Sequence, residues 1–140
     1  MKKKLLIIAL ACMILCFTAC SARLPYDLEG TYSIEIHAYG NESAEPVAEF
    51  VVKGEDAERI VEMFSSLKLK EMNYTEPSIR GYVFWFRDET GNDIAKIELP
   101  YGSSPLVVVD GTPYEDINSG VDIQYLGQLV DTLATASFEK

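Results

Sequence analysis

The 140-residue chain has no cysteine beyond position 20 and a single histidine, His37. Cys12, Cys16 and Cys20 all fall in the first 20 residues, so the rest of the chain offers no disulfide, thiolate metal site or cysteine nucleophile. One histidine excludes a two-histidine acid–base pair and a metal site built on several imidazoles. Basic charge is scarce as well: 12 Lys and Arg stand against 22 Asp and Glu, a net charge of -10. Three of the 12 are Lys2, Lys3 and Lys4, and no acid precedes Asp27. Without residues 1–19, nine basic groups face 22 acids, a net charge of -13. Such a domain repels phosphate backbones, which excludes nucleic acid as a partner. No apolar run reaches the roughly 20 residues that a membrane-spanning helix needs.

What is present begins with a positive segment, Lys2 to Lys4, followed by the uncharged apolar run Leu5 to Phe17. That run has the length of a signal-peptide apolar region, with its start held on the cytoplasmic side by the lysines. An apolar fraction of 48% and eight tyrosines argue that the remainder of the chain is a folded domain rather than a disordered tail.

Phe17-Thr18-Ala19-Cys20 resembles the lipobox of bacterial lipoproteins, in which a small residue precedes the cysteine. The resemblance implies that Cys20 is lipidated on its thiol and becomes the first residue of the mature protein. It places the chain at the cell membrane, lipid-anchored on the extracytoplasmic face. The expected organisation is a signal peptide at 1–19, a lipidated cysteine and tether at 20–29, and one domain at 30–140. The tether, Ser21 to Glu29, spans at most about 30 Å when extended.

Along the domain, Thr31 to Tyr39 alternates apolar and polar residues, and Val47 to Lys53 does the same; both read as half-buried strands. Asp56 is placed to cap a helix in which Ile60, Val61, Phe64 and Leu67 recur at helical spacing, with Lys68 and Lys70 in its last turn. Tyr82 to Arg87, Ile94 to Leu99 and Leu106 to Val109 read as three further strands. Asp110-Gly111 signals a hairpin, after which Thr112 to Glu115 pairs back briefly. Ser119 to Asp122 fits a capping box before a final helix carrying Ile123, Leu126, Val130 and Leu133. The expected fold is α+β: a mainly antiparallel sheet of about five strands with two helices on one face, in the order ββαβββα. The stretch from Tyr82 to Tyr114 resembles the small domains of unknown function in lipoproteins of Gram-positive bacteria. That likeness brings no catalytic residue with it.

Motifs for chemistry are few. Ser65-Ser66-Leu67-Lys68 matches S-x-x-K, but its companion motifs S-D-N and K-T-G are absent. Asp88, Asn92 and Asp93, and then Glu115, Asp116, Asn118 and Asp122, supply oxygens in loops without the spacing of a calcium loop. The aromatics are the stronger lead. On Tyr82 to Arg87, Tyr82, Phe84 and Phe86 share the face expected under a helix, and Val83, Trp85 and Arg87 share the other. If helices cover only one face, Trp85 is partly exposed beside a guanidinium, the composition of a binding hot spot; the alternative is that Trp85 covers the back of the sheet or packs on the tether. Trp85 and Arg87, with Tyr101 and Tyr114 in adjoining loops, form the expected contact surface for an envelope protein or small ligand. No cofactor and no catalysis are expected; the alternatives are a calcium-dependent structural module and a small cell-envelope hydrolase.

Overall fold

The computed structural model describes residues 24–40, 44–73, 81–101 and 106–138. Its elements are β1 (Ser33–Tyr39), β2 (Pro46–Lys53), α1 (Glu55–Ser65), β3 (Leu69–Glu71), β4 (Tyr82–Arg87), β5 (Asp93–Leu99), β6 (Leu106–Val109), β7 (Thr112–Asp116) and α2 (Ile123–Phe138). The strands form one antiparallel sheet in the order β2-β1-β4-β5-β6-β7-β3. The fold is α+β, but among the described residues the sheet has seven strands and not the roughly five expected.

Two segments make the difference. The helical spacing that ends at Leu67 suggests that Lys68 and Lys70 belong to the last turn of a helix. Instead α1 stops at Ser65, and Leu69, Lys70 and Glu71 pair with Asp116, Glu115 and Tyr114. The sequence there, Leu67-Lys68-Leu69-Lys70, alternates with period two, and both leucines are buried. The brief return after Asp110-Gly111 is a full strand of five residues, and it supplies the edge to which β3 docks. Positive φ at Asp110 and Gly111 gives this two-residue hairpin the backbone twist that suits its strands.

The helix starts also differ from expectation. Gly54, not Asp56, occupies the position before α1, and Glu55, Asp56 and Glu58 place negative charge in its first turn. Ahead of α2, Asp122 rather than Ser119 caps, accepting the Tyr125 backbone N–H at 2.8 Å.

Both helices pack on one side of the sheet. Ile34 and Ile36 of β1, Val52 of β2, Phe84 and Phe86 of β4, and Ala95, Ile97 and Leu99 of β5 face Ala57, Ile60 and Phe64 of α1 and Leu126 and Leu129 of α2. At the centre, the Phe64 ring meets Phe84 and Phe86 edge-on, with centroids 5.2 and 5.6 Å away.

The domain starts earlier than position 30. Leu28 is buried in the core, and Leu24 and Tyr26 pack against it. The Tyr26 hydroxyl donates to the Phe64 carbonyl at 2.7 Å, which satisfies one of the open acceptors at the end of α1. Burial, reinforced by the Asp116 carboxylate, pushes the Tyr26 phenol well above its usual range and keeps it a donor. Most of the segment expected to be tether is therefore part of the folded unit.

Asp116, the buried carboxylate of the core, accepts the backbone N–H groups of Asn118 and Val121. Asn118 in turn bonds Lys68 N and the Ser66 carbonyl, so this knot ties the turn before α2 to the end of α1. It explains why a charged residue is tolerated inside.

Candidate functional site

Side chains alternate across a strand, so the register that turns Ile34, Ile36, Phe84 and Phe86 inward turns their neighbours outward. The second face carries Glu49, Val51 and Lys53 of β2, Ser33, Glu35 and His37 of β1, Val83, Trp85 and Arg87 of β4, and Lys96 and Glu98 of β5. Neither helix lies on this side: the core residues of both pack with the opposite set. Val83 and Tyr39, at one end of the row, are buried, whereas Trp85 and Arg87 are half-exposed.

Trp85 sits at the centre of a polar ring. The His37 ring lies 4.4 Å away between centroids, and Lys96 Nζ is 5.6 Å from the indole centroid. Glu35 bridges two cationic or polar partners, with Oε1 2.6 Å from His37 Nε2 and Oε2 2.5 Å from Arg87 Nη1. His37 Nδ1 is 3.7 Å from Glu49, and Lys96 Nζ bonds Glu98 at 2.7 Å. A register shift between Phe86 and Arg87 sets Arg87 opposite Asp93, whose carboxylate takes Arg87 Nε at 3.0 Å. That bond, ahead of Glu35, raises the guanidinium's pKa above its ordinary value.

The charge on this face is nearly balanced. Glu35, Glu49, Asp93 and Glu98 stand among Lys53, Arg87 and Lys96, with His37 beside them. The excess of acid lies elsewhere on the molecule. A balanced surface around one large aromatic can accept a partner without the repulsion that the net charge would otherwise impose.

Of the four expected contact residues, the structure brings together Trp85 and Arg87 only. Tyr114 stands opposite Val107, which is buried, and packs against the core on the helix side. Tyr101 is exposed, and its ring lies 6.2 Å from Tyr82, on the helix-covered side of β4. His37, Glu35, Lys96 and Glu98 are the members that sequence reasoning missed. The available signal was the polar half of each alternating strand. Cys20, the expected lipid attachment, lies outside the described residues.

In the loops considered for calcium, carboxylate oxygens of Asp88, Asp93, Asp116 and Asp122 accept from backbone and side-chain donors of the protein. Asp88 accepts from Thr90 and Asn92, and these bonds, led by the Thr90 hydroxyl, hold its carboxyl below the usual range. Among the described residues no group of three or more His, Cys, Asp or Glu is placed to hold a metal ion. A groove of about 420 Å³ runs between the helices past Asp56, Arg59, Asp122, Tyr125 and Gln128. Arg59 stacks on Tyr125 there, 3.9 Å from the ring centroid, and fills part of it. No helix among the described residues is long and apolar enough to cross a membrane.

No protein-family model matches the chain, and comparison with curated proteins and with solved structures gives no match.

Proposed function

We propose that the protein is a lipid-anchored, extracytoplasmic binding module that docks another cell-envelope component on the open sheet face around Trp85, without catalysis. That face, which neither described helix covers, carries the reading: a half-exposed Trp, held by His37 and Lys96 and framed by ion pairs, on an otherwise acidic domain. Trp and Arg are among the residues most enriched where binding energy concentrates. The anchor half rests on the lysine-led apolar run and Thr18-Ala19-Cys20. With Leu24 already packed on the core, only residues 21–23 separate Cys20 from the folded unit, a span of about 13 Å at most. Such a domain works at the membrane surface.

The anchor is tested by fatty-acid labelling in the producing cell. Cys20→Ala should abolish labelling and release the chain from the membrane fraction, while Cys12→Ala and Cys16→Ala leave both unchanged. Undiminished labelling of the Cys20 variant would remove the lipid anchor from this reading.

A further inference from the structure

We propose that the outer edge of β2 pairs, antiparallel, with the same edge of a second copy of this chain. β2 is the last strand on its side of the sheet, and no described residue pairs with its outer edge. Its backbone polarity follows from the ladder beside it. Tyr39 N–H bonds the Gly81 carbonyl, so the odd-numbered residues of β1 bond toward β4 and the even-numbered ones toward β2. Ala48, Phe50 and Val52, opposite those even residues, therefore turn inward. The N–H and C=O groups of Glu49, Val51 and Lys53 point out from the sheet, unpaired by any described strand.

Natural edges are usually blunted by proline, lysine or a bulge. Here Pro46 and the register shift at Val47 blunt one end and Lys53 stands at the other, but from Ala48 to Lys53 the ladder is regular; Val47 and Val51 are the most exposed large apolar residues among those described, at 67% and 61%. The opposite edge, β3, has three residues and offers little to pair with. Among the ways two such edges can meet, charge selects one. Setting Val51 against Val51 of the second copy places Glu49 opposite Lys53 on both sides of the two-fold axis. Phe50 and Val52 then meet on the helix side. Sliding by two residues along each strand puts Glu49 against Glu49, and directly opposed like charges are unfavourable. The register with Phe50 at the axis leaves Glu49 and Lys53 each facing a valine.

The two-fold axis of this pairing stands perpendicular to the sheet, so both open faces look the same way. Two Trp85 surfaces then lie on one side of a continuous sheet, and a repeating envelope component could engage both, with the gain that a second linked contact brings. The pairing itself requires neither the lipid nor any ligand.

The test is disulfide trapping in cells producing the full chain with Cys12→Ser and Cys16→Ser, the parent with Cys20 alone setting the baseline. In the proposed register the two Val51 Cα atoms lie about 5.5 Å apart, within disulfide reach, whereas the two Glu49 positions are separated by roughly 14 Å. Val51→Cys should give a covalent dimer as the main oxidised species, and Glu49→Cys should stay monomeric. Within Val51→Cys, Glu49→Lys or Lys53→Glu alone should reduce the dimer, and the two together should restore it. No dimer from Val51→Cys overturns the proposal. So does a dimer no more abundant than that of Gln128→Cys on α2, or one formed by Glu49→Cys in its place.

Discussion

Phe84→Ala should cost the domain about 3–5 kcal/mol, a large part of the stability of any domain of this size. Phe84 is fully buried at the middle of β4, one strand in from the sheet's centre line, and its ring meets Phe64, Phe86 and Tyr82. Truncation would leave a cavity between the sheet and α1 that three rigid rings cannot close. Trp85, the next residue, faces the opposite way and is half-exposed, so Trp85→Ala should cost clearly less despite removing the larger side chain. Urea denaturation of both variants checks this. Equal, large losses would mean that the sheet is covered on both faces.

Gly81→Ala should be damaging for a different reason. A Cβ at Gly81 would run into the Leu99 carbonyl oxygen, and would stand 3.2 Å from Tyr101 N and 3.4 Å from Pro100 C. These are backbone atoms of the strand end that pairs with Tyr82, so they cannot swing aside as a flexible side chain would. The Gly81 carbonyl also accepts the Tyr39 N–H at 2.9 Å, which holds β1 and β4 together at this corner. Relief therefore requires moving three strands at once. The expected loss is about 2–3 kcal/mol, at the upper end of what overpacking costs. A denaturation midpoint unchanged from the parent would show that the β5 end is free to yield.

The alternating strands were legible in the sequence because β1, β4 and β5 each have one covered face. Ile34 and Ile36 against Glu35 and His37, or Ala95 and Ile97 against Lys96 and Glu98, report directly on which side is dry. Leu106 to Val109 gives no such signal, being apolar throughout, and so the side taken by its partner Tyr114 could not be read from it. β3 was hidden because its three residues directly follow a helix, and the spacing of Phe64 and Leu67 carries on past the true helix end. Leu24, Tyr26 and Leu28 alternate with Pro25 and Asp27, but a run this short, broken by a proline, reads as linker. Only the tertiary core explains them.

The site was half legible. Alternation in Tyr82 to Arg87 is enough to put Trp85 and Arg87 on one face. The contacts around them depend on cross-strand register: Glu35 reaches Arg87 because β1 pairs with β4 with Glu35 opposite Trp85, and Lys96 reaches the indole because it stands opposite Trp85 on β5. Register is set by turns and packing that no single strand's composition reveals.

Docking on the open face around Trp85 is the central claim, and photo-crosslinking in intact cells tests it most directly. A photoreactive phenylalanine analogue is placed at position 85, and separately at position 128 on the exposed side of α2, in the full chain. Position 85 should give a discrete adduct of one defined mass, and position 128 none of that mass. Arg87→Ala should weaken the adduct, since the guanidinium frames the same surface. Adduct formation at 128 alone, or the same products from both positions, would contradict the claim and move the contact to the helices.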